Sequence, residues 1–236
     1  MRIPDSLSTS FLAALHSVHP IRRRTLKDKM LVYEAFTPGK TYAIESGYVR
    51  LVSTEASGRY FTRSLLGAGA IGGDLPFGLT TFQNAEAAVA NGMAIVLELD
   101  RVSIERASKA DVNLRQGLLE TYGHQLHFLD RRLQWQLVSP LQRRVAMALV
   151  DLMCFEGRPC NHGRGYVVDV RMTHEEFSEL VGASRPNVSA IMKTLRDQDV
   201  LSYTRAYVCV RDLDALSRIA ALDSSFLKSP QDLSPR

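Results

Sequence analysis

The chain has 236 residues, long enough for one large or two modest domains with an ample core. Hydrophobic residues at 45% and charged residues at 23% are ordinary for a globular protein, and no apolar run is long enough to cross a bilayer. The net charge of +4 favours a polyanionic partner only weakly, and three cysteines make no disulfide framework. With no cleavage site in MRIPDSLSTSFLAALHSV, the expected compartment is the cytoplasm, with no membrane partner.

In chain order, a helix is expected at about residues 8–17, then a series of short β-rich runs. These are Leu31–Phe36, Thr41–Ile44, Tyr48–Ser53, Arg59–Leu66, Ala85–Ala90 and Met93–Leu99. Gly39, Gly47 and the glycines at 67, 69, 72 and 73 punctuate them, a pattern of antiparallel sandwich or barrel. Arg22-Arg23-Arg24 reads as a solvated strip. A long helix should run from Asn113 to Val138. Leu119, Tyr122, Leu126, Leu129 and Leu133 recur at 3,4,3,4 spacing, the seam of a two-stranded coiled coil. An intramolecular core helix gives the same spacing, and Leu118, Phe128 and Trp135, off the seam, could pack on the barrel. Gly117 and Gly123 each cost roughly 1 kcal/mol relative to Ala, so packing must stabilise this helix. Ser139-Pro140 breaks it, and Leu141–Phe155 opens a further domain.

Residues 173–196 read as two short helices joined by a tight turn. Thr173 and Glu176 have capping-box spacing, Phe177, Leu180 and Val181 form an apolar stripe, and Gly182 can end the helix. Ser184 can cap the second helix, with Pro186 in its first turn and Val188, Ile191, Met192 and Leu195 as its buried face. Arg185, Asn187, Ser189 and Lys193 then face outward, where they suit base edges and phosphates. A plain helical hairpin with a solvated face is the alternative. The flanking runs favour the first reading: a strand at Gly165–Val170 and a hairpin of Val200–Tyr203 with Tyr207–Val210 complete a winged helix-turn-helix plan.

The whole order resembles the catabolite-activator/fumarate-nitrate regulator (CRP/FNR) family of bacterial transcription factors. The resemblance spans about 18 to 216 and is most specific at residues 42–51, 180–185 and 195–198. It implies an α+β fold with a cyclic-nucleotide-binding-like β-barrel of jelly-roll type (double-stranded β-helix) over 1–112. A dimerisation helix over 113–138 and a winged helix-turn-helix over 139–222 follow, with 223–236 as a flexible tail. It also implies a homodimer, joined at Leu119, Tyr122, Leu126, Leu129 and Leu133, on a near-palindromic double-stranded DNA site, with RNA polymerase as a further partner. By position, Arg185 matches the guanine-reading arginine. Thr173, His174 and Ser184 match phosphate-holding positions, Asn187, Ser189 and Lys193 are further DNA contacts, and Arg205 would lie at the wing tip. Pro186 stands where many relatives have a cytosine-reading glutamate, so the preferred half-site should differ.

Relatives that bind cyclic AMP carry Gly-Glu-Leu and Arg-Ser-Ala segments. Here the first reads Gly72-Gly73-Asp74-Leu75 and the second Asn84-Ala85-Glu86, with no Lys or Arg between Arg63 and Arg101. A buried phosphate without a cation loses its charge-assisted hydrogen bonds. Cyclic AMP bound in the usual way is therefore not expected, and no cofactor is certain. Gly72, Gly73, Asp74, Asn84, Ala85, Leu126 and Leu129 would line the pocket of an unknown small-molecule effector. Three cysteines are too few for a four-thiolate iron–sulfur cluster. A haem- or thiol-based sensor of the same fold is the alternative, with His16, His19, His124 and His127 as possible ligands. Cys154, Cys160 and His162 cluster in sequence without a recognisable zinc spacing. An enzyme is disfavoured, because no nucleophile elbow, P-loop, HExxH or dinucleotide fingerprint occurs.

Overall fold

The computed structural model describes residues 5–34, 38–54, 60–78, 86–160, 165–168, 172–204 and 207–221. The chain divides into two units, Met1–Leu129 and Asp130–Arg236. In the first, α1 (Asp5–His16) precedes β1 (Ile21–Leu26), β2 (Leu31–Tyr33), β3 (Lys40–Thr54), β4 (Tyr60–Leu66), β5 (Ile71–Gly73) and β6 (Glu86–Asp100). Helix α2 (Arg101–Ala110) and most of α3 (Val112–Val138) complete it.

Strands β3 and β6 pair antiparallel from Lys40↔Asp100 to Ser53↔Glu86 and set the frame. Four of the short runs expected from sequence are thus two long strands. The chain bends without breaking, because register slips at Ile44/Ser46 and Ser46/Tyr48 absorb the curvature that a turn would otherwise supply. Gly47 makes this possible: its φ is +78°, and a Cβ there would lie 2.2 Å from the Met93 carbonyl oxygen. The sheet runs β1-β6-β3-β4, with β2 added to β6 and β5 to β3. Among the described residues it is an open antiparallel sheet rather than a closed barrel, and its pairing is compatible with a jelly roll. Arg22-Arg23-Arg24 is part of β1, not a bare surface strip. Arg24 is half-buried, pairs with Glu98 at 3.4 Å and donates to the Val32 carbonyl at 2.8 Å.

The core of this unit gathers Phe11, Leu15 and Val18 against Ala43, Ile71, Leu97, Leu99, Ile104, Leu114 and Leu118. Gly117 is the contact point of two helices, since a Cβ there would stand 2.7 Å from the Phe11 ring. Helix α3 therefore presents two different faces. Inward, Leu114, Leu118 and Thr121 are buried, Tyr122 donates its hydroxyl to the Pro76 carbonyl, and the Gln125 amide bonds both the N–H and the C=O of Ile71. Outward, Leu119, Leu126, Leu129, Leu133 and Leu137 are exposed, Leu126 at 70%. Tyr122 is thus a correction to the expected seam: it faces its own domain, because its hydroxyl finds a buried carbonyl there.

In the second unit, α4 (Leu141–Glu156) leads to β7 (Gly157–Pro159) and β8 (Tyr166–Val168), then α5 (His174–Val181) and α6 (Arg185–Asp197). Strands β9 (Leu201–Tyr203) and β10 (Val208–Val210) and helix α7 (Leu213–Ala220) follow, and the small sheet runs β7-β8-β10-β9. Val145, Leu149, Phe177, Leu180, Val188, Leu195, Leu201, Val210 and Leu216 are buried here. Trp135, expected against the barrel, belongs to this unit instead: it is buried with the Arg131 guanidinium 5.9 Å from its ring centre.

Candidate nucleic-acid interface

Helix α5 starts with both halves of the capping box. The Glu176 amide donates to the Thr173 hydroxyl at 3.1 Å, and the Thr173 amide donates to the Glu176 carboxylate at 2.8 Å. It ends at Gly182, whose φ of +64° lets its own amide and that of Ala183 turn back onto the carbonyls of Glu179 and Ser178. Two arginines hold the same helix end from outside it. Arg132 donates to the Leu180 carbonyl at 2.6 Å, and Arg144 donates to those of Val181 and Gly182. The turn that separates the two helices is fixed on every side.

Helix α6 buries Val188, Met192 and Leu195. Ser184 occupies its N-cap position but makes no capping bond, contrary to the expectation from sequence. A cap normally accepts from the amide of the second or third helical residue, and here the second is Pro186, which has no N–H. The first turn contains no acidic residue, and its positive dipole end faces solvent beside exposed Ser184, Arg185 and Asn187. Arg185 and Lys193 have no ion-pair partner among the described residues. Ser189 is less available than expected: its hydroxyl lies 3.1 Å from Nδ1 of His174, tying α6 to α5. The His174 ring also meets Tyr203 of β9 edge-on at 5.3 Å. Arg196, which sequence reasoning had not selected, lies over the Tyr203 ring at 5.5 Å and extends the cationic side of α6 towards the wing. Arg205 at the wing tip lies outside the described residues.

Residues 143–219 match the Crp-like helix-turn-helix domain. A protein described as the cyclic AMP receptor protein of Thermus thermophilus is 27% identical over 199 residues, covering 84% of this chain and 88% of the relative. The chain carries a Crp-like DNA-binding domain and is similar to CRP/FNR transcription regulators along most of its length. Solved structures share its fold. FixK2 of Bradyrhizobium japonicum superimposes with a TM-score of 0.71 at 18% identity, covering 86% of this chain and 98% of that one. A CooA mutant of Carboxydothermus hydrogenoformans gives 0.72 at 19%, covering 93% and 98%.

Of the residues expected to line an effector pocket, those described are already engaged or lie on the exposed stripe of α3. Asp74 is buried, accepts the Gly39 amide at 2.8 Å and lies 3.5 Å from the Arg101 guanidinium. It braces a loop. Gly72 and Gly73 are packed by aromatic rings. A Cβ on Gly72 would lie 3.0 Å from the Tyr33 hydroxyl, and one on Gly73 2.8 Å from the Tyr42 ring. Tyr33 stacks on Tyr42, accepts the Gly73 amide at 3.1 Å and donates to Glu86 at 2.6 Å. Burial, then the Glu86 charge, pushes the Tyr33 phenol well above the usual tyrosine range. Glu86 also pairs with Arg63 at 3.0 Å. Asn84 and Ala85 lie outside the described residues, while Leu126 and Leu129 belong to the exposed stripe of α3. Among the haem-ligand candidates, His16 is bonded to Glu45 at 3.1 Å. No helix among the described residues is long and apolar enough to cross a membrane.

Proposed function

We propose that two copies of this regulator pair along Leu119, Leu126, Leu129 and Leu133 and set two α6 helices into successive major grooves of a near-palindromic DNA site. The observation that carries this reading is the exposed α6 N-terminus, on a helix pair whose turn is braced by Arg132 and Arg144. Arg185 reads a guanine through O6 and N7, for which its planar fork is suited. Ser184, with no capping bond, joins Thr173, His174 and the first-turn amides of α6 in holding phosphates. Asn187 and Lys193 contribute further contacts, and Ser189 acts mainly by fixing His174. RNA polymerase is the expected protein partner, and the cytoplasm the expected compartment.

The sheet domain does not take cyclic AMP in the usual mode. Three observations support this. Asp74 is spent on Gly39 and Arg101, the Tyr33 and Tyr42 rings fill the space over Gly72 and Gly73, and Glu86, paired with Arg63, adds a carboxylate at the end of the segment that replaces Arg-Ser-Ala. A phosphate arriving there would have to displace Tyr33 from its bonds to Gly73 and Glu86. Selection of bound fragments from a random DNA pool, followed by mass measurement of the complex, tests the main reading. Two protomers on an inverted repeat support it, and one protomer on a single half-site contradicts it. A second reading, control through thiols, is favoured by the contact of Cys160 with Cys209.

A further inference from the structure

Two thiols distant in sequence meet inside the DNA-reading domain. Cys160 follows β7, where its amide donates to the Gly165 carbonyl at 3.0 Å. Cys209 is the central residue of β10, flanked by Val167 of β8 and Ser202 of β9. Their Sγ atoms are 3.3 Å apart, both side chains are buried, and neither is in a disulfide. Strand register, not chance proximity, holds them there. Sequence order had grouped Cys160 with Cys154 and His162.

We infer that Cys160 and Cys209 are a peroxide-oxidisable dithiol that closes a disulfide around the helix-turn-helix. The segment between them contains α5, α6 and β9, so the bond would fasten both ends of the reader to each other. Cys209 also lines a cleft of about 720 Å³ with Gln198, Asp199, Ser202 and Arg211, which gives a small oxidant a way in. In the first step the Cys209 sulfur takes one oxygen from hydrogen peroxide or an organic hydroperoxide. The O–O bond breaks, the thiol becomes a sulfenic acid, and water or an alcohol leaves. In the second step the Cys160 sulfur attacks the sulfenic sulfur. The S–S bond forms, the S–O bond breaks, and hydroxide departs with the Cys160 proton as water. Overall two thiols lose two electrons and two protons, and one peroxide is reduced. Burial, then the hydrogen bond that Cys209 donates to Cys160, raises the Cys209 pKa, so the first step is slow. The second is fast, because the partner sulfur is already in contact.

The test is intact-mass and peptide-mapping analysis of the reduced, full-length protein after hydrogen peroxide treatment, without denaturant. The expected product has lost about 2 Da, carries a Cys160–Cys209 linked peptide, melts at a higher temperature than the reduced form and reverts with dithiothreitol. Cys160→Ser should instead accumulate a dimedone-trapped sulfenate at Cys209. Should that variant fail to fold, the linkage map of the wild-type protein still decides. Linkage through Cys154, oxidation only after unfolding, or an oxidised form that melts no higher would each overturn the proposal.

Discussion

The guanidinium of Arg132, in the last part of α3, donates to the carbonyl oxygen of Leu180 at the end of α5. That carbonyl has no partner within its own helix, so a residue of one helix completes another. Arg132 is buried, and desolvation lowers its pKa to about 10 against the opposing pull of Asp151. Asp151 in turn is bonded by Arg131. A continuous polar chain therefore joins the end of α3 to α4 and to the turn that aims α6. Replacing Arg132 by Met keeps the packing volume and removes the bond. The expected loss is about 1.5–3 kcal/mol in urea unfolding, with weaker DNA binding at temperatures where the variant is folded. Unchanged stability and affinity would show that the bond positions nothing.

Arg185→Ala should cost roughly 1–3 kcal/mol on the selected site and relax preference at one base pair per half-site. His174→Ala should weaken binding to specific and random duplexes alike. Fluorescence anisotropy with both duplexes separates the two outcomes, and equal losses for Arg185→Ala would remove it as a base reader.

Leu133 is 54% exposed in a single protomer, as Leu126 is at 70%. Leu133→Glu forfeits about 1.5–3 kcal/mol of side-chain burial from each copy and places like charges across the seam. Sedimentation equilibrium should show the dimer dissociation constant rising more than about 100-fold. Circular dichroism should show the fold kept. A variant that remains fully dimeric would place the contact elsewhere.

The two raised phenols set an alkaline limit. Tyr33 is raised chiefly by burial and then by Glu86, and Tyr122 chiefly by burial and then by Glu105. An unfolded tyrosine ionises near about pH 10, so the folded chain keeps protons that the unfolded chain releases. The associated stability is complete below that pH and declines as pH rises above it. Unfolding free energy measured from about pH 9 to pH 11 should fall, and should fall less steeply in Tyr33→Phe. Equal slopes would mean that Tyr33 ionises freely in the folded protein.

The DNA-reading half was the more legible in sequence because its signals are local. Thr173 and Glu176 lie three residues apart, Gly182 marks the helix end, and the hairpin residues are contiguous. The sheet half hid its connectivity. Gly47 looks like a turn, yet it serves a bulge that only the partner strand β6 explains. Helix α2 was missed although Asp100 caps it by accepting the Ser103 amide, because a β-rich run leads straight into it. Helix α7 carries the same kind of cap, Asp212 on the Ala215 amide, and was also passed over. Tyr122 has the spacing of the seam, and only the Pro76 carbonyl reveals which way it points. Nothing in the spacing of Cys160 and Cys209 announces their contact, since strand register in the small sheet creates it.

Protection of guanine N7 from dimethyl sulfate, mapped on the selected DNA site with wild-type protein and with Arg185→Ala, tests the reader most directly. The account predicts one protected guanine in each of two half-sites about one helical turn apart, with both protections lost in the variant while neighbouring phosphate contacts persist. Protection confined to one half-site, or unchanged by the substitution, would contradict it.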